Sequence, residues 1–307
     1  MNSDSAVFFT RFSPASVIQV TGDDALTFLQ GQFTQELRGP SPALCAYGLW
    51  LNQKGKVIAD SYALREGDAW WLVSAASTAK EILDRLSAYI IADDVDPLDT
   101  TARWGIYLIS GASAAKSLER AGVRLPASDE WARWEGAFVF REQRSSDARW
   151  FIVSPVEADA QISSALLSVG MQEIGLERLE LERIELRLPR VPTDIGPNDL
   201  PNEGGLETLA VSYSKGCYLG QEVMARLHSM GQVRRRLLRV RGEGPAPAAG
   251  VPLYSGEKKI GETRSAASTG VGFVALAMIN LFSLPPDRRA SLTPNGPATI
   301  LIDEPAP

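Results

Sequence analysis

The amino-acid sequence predicts an α+β protein, with a mixed α/β N-terminal region followed by a small C-terminal β-barrel. Three observations carry this. Strand-like and helix-like stretches follow one another without the steady strand–helix cadence of a doubly wound sheet. Residues 44–51, 56–64 and 69–74 read as consecutive strands joined by the turns Asn52-Gln53-Lys54-Gly55 and Glu66-Gly67-Asp68, which is a meander. From residue 236 onward, short apolar stretches at 251–254, 259–263, 271–278 and 298–302 are separated by Gly- and Pro-rich turns, the cadence of a small all-β barrel. The expected domains are therefore 1–235, open to division near 95–110, and 236–307.

The remaining elements follow in order. Residues 17–20 form a short strand ending at Thr21-Gly22, and Asp23 or Asp24 caps a helix through Leu26, Phe28 and Leu29. Ser77 opens a helix whose apolar residues Ile82, Leu83, Leu86 and Ile90 recur at helical spacing. Residues 104–109 read as a strand and 113–121 as a helix stopped by Gly122. Residues 138–140 and 150–153 are strands, with a helix over 156–169 behind them. A charged helix over 176–188 has leucines and Ile184 on one face and is ended by Pro189 and Pro192. Residues 194–206 are loop, and 235–241 is the first barrel strand.

Composition narrows the function. The chain has 307 residues, 31 basic against 37 acidic, and a net charge of −6, so a general nucleic-acid coat is excluded while a local basic patch is not. Two cysteines, Cys45 and Cys217, supply neither a disulfide framework nor a four-thiolate metal site, and a reducing cytoplasm suits that usage. A single histidine, His228, excludes a multi-histidine metal centre. No apolar run reaches membrane-spanning length, and residues 1–10 carry no basic n-region, so neither a membrane partner nor a secretory signal is expected.

The most informative segment is Lys215-Gly216-Cys217-Tyr218-Leu219-Gly220-Gln221-Glu222. Glycines bracket the thiol and let the backbone turn sharply and approach a ligand closely. Lys215 brings positive charge that favours the thiolate if its ammonium lies near the sulfur. The plain alternative is a tight turn holding an inert thiol. Asp60 closes Lys54-Gly55-Lys56-Val57-Ile58-Ala59-Asp60, and strand alternation puts it on one face with Lys56 and Ile58. A carboxylate there is either a solvent-facing edge acid or part of a polar site. Glu185 reads by default as a solvated helical charge, and Glu203 as an acid that fixes its loop. The stretch 226–241 holds six arginines, His228 and no acid, which is either a solvated rim or an anion-binding surface.

The octapeptide, with Arg226, Gly231 and the run Arg234, Arg235 and Arg236 behind it, resembles the signature of the YgfZ group. That group comprises folate-binding proteins related to the T-protein (aminomethyltransferase) of the glycine cleavage system. The stretch around Asp60 is similar to the family's Gly-Gly-x-x-Asp-Asp, with Asp60 on the second Asp, Ala59 in place of the first, and Lys56 in place of the second Gly. Arg183-Ile184-Glu185 is similar to the family's Arg-Leu-Glu, whose acid hydrogen-bonds a pterin. The resemblance implies a T-protein-like folate-binding fold with a three-lobed ring, and tetrahydrofolate or a one-carbon derivative as cofactor. It implies Cys217 and Asp60 as reacting residues, and Asp60, Glu185, Lys215, Tyr218 and Arg226 as cofactor-binding ones.

The function so implied is assembly or repair of iron–sulfur clusters and, through it, tRNA modification. Iron–sulfur proteins or cluster-assembly components are the expected partners of a monomer. Cys217 then attacks a folate-borne one-carbon unit, ligates a transient cluster, or acts as a redox thiol. Two alternatives stand beside this reading. One is a folate-dependent aminomethyl or methylene transferase centred on Asp60. The other is a non-enzymatic RNA-binding or scaffold protein using Arg234 to Arg236.

Overall fold

The computed structural model describes residues 6–231 and 233–304. The chain forms two compact units. One comprises Met1–Asn52, Ile58–Leu176 and Leu209–Leu219, and the other Gln53–Val57, Glu177–Thr208 and Gly220–Pro307.

The first unit is built on two sheets. The predicted meander forms strands Cys45–Leu51, Val57–Glu66 and Ala69–Ser74, and Ser16–Thr21 and the edge strand Asp96–Asp99 complete a five-stranded sheet. Helices Ala25–Gln32 and Ala79–Ser87 cover it, burying Phe28, Leu29, Ile82 and Leu86 with Trp50 and Trp70. The second sheet has six strands in the order Gln172–Glu173, Phe8–Phe12, Trp104–Ser110, Trp150–Pro155, Ala137–Arg141 and Trp131–Trp134. Helices Ala114–Arg120 and Asp159–Ser168 close its outer face over Phe9, Tyr107, Val139 and Ile152.

Two predicted caps move. Asp24 occupies the N-cap of Ala25–Gln32 without a side-chain cap bond, because its carboxylate accepts instead from the Asp94 amide at 2.9 Å. Thr78, not Ser77, caps Ala79–Ser87, in a capping box with Glu81, which leaves the Ser77 hydroxyl for Asp60. Strands Phe8–Phe12 and Trp131–Trp134 are absent from the sequence prediction, as is helix Gln221–Met230. That helix lies between Gly220 and Gly231, both in the left-handed region that glycine adopts readily.

The second unit contains the barrel sheet, in the order Pro252–Ser255, Lys258–Ser268, Phe273–Asn280, Arg235–Gly242, Ile300–Ile302 and Arg289–Ala290. Its ends meet through paired backbone bonds between Tyr254 and Ser291 at 2.8 and 2.9 Å, so the sheet closes on itself. Strand Phe273–Asn280 is apolar up to its exposed last residue, Asn280, because both faces are covered. Phe273, Ala275, Ala277 and Ile279 fill the barrel, while Val274 and Leu276 pack on Ile184 of helix Leu176–Glu185. Gly261 is required on the neighbouring strand, since a Cβ there would lie 2.4 Å from the Met278 carbonyl oxygen. No helix among the described residues is long and apolar enough to cross a membrane.

Candidate functional site

The signature segment is a loop with an exposed crest and buried flanks. Gly216 and Cys217 are exposed, whereas Lys215 and Tyr218 on either side are buried. The Lys215 ammonium is held by backbone carbonyls. It is 6% exposed and donates to the carbonyl oxygens of Phe33 and Gln35 at 2.8 and 2.6 Å, with the Tyr218 ring 5.5 Å away. Burial, opposed by the Glu36 carboxylate, lowers its pKa to about 8. The Tyr218 hydroxyl is buried without a hydrogen-bond partner among the described residues. Cys45 is buried, and burial pushes its thiol well above the usual range, so Cys217 is the chemically accessible thiol.

Asp60 lies in a polar and aromatic layer between the two sheets of the first unit, and is not a solvent-facing edge acid. It is 6% exposed, and its carboxylate accepts from the hydroxyls of Ser74 at 2.7 Å, Ser77 at 2.8 Å and Tyr47 at 2.9 Å. Strand Val57–Glu66 places Asp60 and Tyr62 on the face opposite Ala59 and Ala63, which belong to the helix-covered core. Tyr62 in turn packs on Tyr47, Phe140 and Phe151, with ring centroids 5.1, 4.8 and 5.6 Å apart.

The sequence reading missed the charged half of this layer. Glu142 is buried and accepts from the Tyr62 hydroxyl at 2.5 Å and from Arg144 at 2.9 and 3.0 Å. Burial opposes its charge, yet Arg144 and the Tyr62 hydroxyl hold it below the ordinary glutamate range. Arg144 also stands 3.8 Å from Asp60 and 5.2 Å from the Tyr47 ring centroid. Burial and then the Asp60 carboxylate push Tyr47 well above its usual range, which keeps its hydroxyl a donor. In the sequence, Glu142-Gln143-Arg144 simply follows a short apolar strand and matches no site motif. Only the pairing of two sheets across it reveals that it is enclosed.

Glu185 belongs to the second unit. One carboxylate oxygen accepts from Arg239 at 2.8 Å and Arg241 at 2.9 Å, and both arginines also bind Asp303. Its other oxygen has no partner among the described residues, and the side chain is 38% exposed. The basic stretch 226–241 is thus divided. Arg226 and His228 are exposed on helix Gln221–Met230, and Arg235, Arg239 and Arg241 are neutralised by Glu203, Asp199, Glu185 and Asp303. Glu203 fixes its loop as expected, accepting from the Leu200 amide at 2.7 Å and from Arg235 at 2.9 Å. No group of three or more His, Cys, Asp and Glu side chains able to hold a metal ion occurs among the described residues.

Comparison with known proteins agrees with this architecture. Residues 4–215 match the family model of the GCVT N-terminal domain, and residues 234–299 match that of the CAF17 C-terminal beta-barrel domain. The human mitochondrial iron-sulfur cluster assembly factor IBA57 is 29% identical over 289 residues, covering 88% of this chain and 76% of that protein. The tRNA-modifying protein YgfZ of Escherichia coli is 27% identical over 261 residues, covering 84% of this chain and 78% of that one. The aminomethyltransferase T of the glycine cleavage system from Bartonella henselae has the same fold, with a TM-score of 0.78 at 18% identity over 94% of this chain and 82% of that chain.

Proposed function

The chain belongs to the GCVT N-terminal domain family, and from that premise we propose that it is a tetrahydrofolate-binding protein of iron–sulfur cluster assembly or repair, and through it of tRNA modification, acting with Cys217. The observation that carries the proposal is the Cys217 loop: one exposed thiol on a crest whose neighbours Lys215 and Tyr218 are both buried. The named roles of the IBA57 and YgfZ relatives supply the process.

One residue of the second unit fits a folate. Glu185 keeps one carboxylate oxygen open beside its two arginines, which suits an N–H donor of an aminopyrimidinone ring. Bound tetrahydrofolate supplies one-carbon chemistry at its N5 and N10 positions. Asp60 is a poorer ligand, since three hydroxyls already hold its carboxylate. That occupancy, with Ala59 where the transferases carry an acid, weighs against aminomethyl transfer as the main activity. The test is calorimetric titration of the full chain with tetrahydrofolate under reducing conditions. Saturable binding, weakened at least about tenfold by Glu185→Gln, is expected from loss of a charged hydrogen bond. Absence of any binding heat refutes the folate role.

A further inference from the structure

We infer that Lys215 is a positioning residue: its ammonium, with Thr34 and Gln35, staples the loop that carries Cys217 and fixes where the thiol stands. The inference rests on the Cys217 reading above and deepens it.

The staple runs along both flanks of the thiol. On the N-terminal side, Gln35 donates from Nε2 to the Leu209 carbonyl at 2.8 Å, and Thr34 from Oγ1 to the Ala210 carbonyl at 2.6 Å. The Ser212 amide donates to the Thr34 carbonyl at 3.0 Å, and the Lys215 ammonium then closes on the Phe33 and Gln35 carbonyls. On the C-terminal side, the Leu219 amide donates to the Gly31 carbonyl at 3.1 Å. Between these anchors Gly216 and Cys217 are exposed.

The 31–35 segment is itself tied to the five-stranded sheet. The Thr34 amide donates to the Leu49 carbonyl at 3.1 Å, and the Leu49 amide donates to the Thr34 hydroxyl at 2.7 Å. Phe33 lies on the strand at Gly48, where a Cβ would come within 2.6 Å of its ring. A continuous path of hydrogen bonds and packing therefore runs from a sheet interior to a solvent-exposed sulfur.

An ammonium is an expensive way to fill a buried position, and an aliphatic side chain would fill it without desolvating a charge. What the ammonium adds is direction. Two of its donors are aimed at two carbonyls of one short segment, and the Tyr218 ring lies on a further side. With two of its donors spent inside the protein, Lys215 holds the loop on this proposal, in place of the folate contact that the resemblance implies.

The experiment compares the full-length protein with Lys215→Met and Thr34→Val, each of which removes one part of the staple at nearly constant volume. Amide exchange at Ser212 and Leu219 is measured together with melting temperature, tetrahydrofolate affinity, and support of an iron–sulfur enzyme in cells lacking the resident homologue. Positioning predicts at least about tenfold faster exchange at both amides in either variant. It also predicts a similar loss of enzyme support with folate affinity little changed in both variants and melting temperature little changed in Lys215→Met, whereas Thr34→Val, which strips the buried Leu49 amide of its acceptor, melts lower. Unchanged exchange at these amides in Lys215→Met overturns the inference whatever happens to activity, as does a loss of activity that follows folate affinity alone. A fully active Cys217→Ala variant removes the thiol reading instead, and the exchange data still decide whether the staple exists.

Discussion

The buried Lys215 ammonium predicts an unusual pH dependence of stability. Its pKa falls from an ordinary 10.5 to about 8 in the folded protein, because burial disfavours the charged form more than Glu36 restores it. Between these values the unfolded chain binds a proton that the folded chain has released. Stability therefore rises with pH through this window, at up to about 1.4 kcal/mol per pH unit. Below about pH 8 both states are protonated and the dependence disappears. From about pH 8 to 9.5 the gain is about 1.5 kcal/mol. Above about pH 10 the buried tyrosines Tyr47 and Tyr62 reverse the trend, because their folded pKa values are raised and the unfolded chain loses those protons first. The assay is urea unfolding of the wild type and Lys215→Met at intervals from pH 7 to about 9.5. The wild type should gain stability relative to the variant, and the variant should lose some toward about pH 9.5, because its unfolded chain ionises the Cys45 thiol that burial keeps protonated in the folded protein. Parallel curves for the two proteins would show that the ammonium is not buried as described.

Further outcomes follow from the other sites. Asp60→Ala leaves the hydroxyls of Tyr47, Ser74 and Ser77 without their common acceptor and should cost about 2–4 kcal/mol, measured by urea unfolding. Glu142→Gln removes one partner of a buried ion pair with Arg144 and should cost about 3 kcal/mol at neutral pH. Because the folded pKa of Glu142 is depressed, that contribution is fully present above the ordinary glutamate pKa and is lost as pH falls through the lower folded value; acid unfolding curves of wild type and variant should converge there. Glu185→Gln, at a 38% exposed ion pair, should change stability by less than about 1 kcal/mol while weakening tetrahydrofolate binding. A large loss of stability would make Glu185 a purely structural acid.

Much of the fold was legible because its periodicities are clean. The strands around the turns at residues 52–55 and 66–68, the helix with Ile82 and Leu86 on its buried face, and the Gly- and Pro-punctuated barrel all announce themselves locally. Helix Gln221–Met230 was hidden because its arginine and the later ones run together as one basic stretch, although flanking glycines mark its ends. The thiol was legible from its motif, and so was the existence of an acid at Asp60. Their surroundings were not. Whether Lys215 faces the sulfur or the Phe33 carbonyl depends on contacts with residues far away in the chain. Glu142 and Arg144 become a buried pair only when two separate sheets enclose them, which no local pattern encodes.

The central claim is that the exposed thiol of Cys217 carries the function of a folded scaffold. The most direct measurement is the activity of an iron–sulfur enzyme in cells lacking the resident homologue, supplied with either the wild-type chain or Cys217→Ala at matched abundance. The variant touches no core contact and should fold normally, with stability within about 0.5 kcal/mol of wild type. Restoration by the wild type and none by Cys217→Ala is the predicted result. Equal restoration by both proteins would contradict the claim.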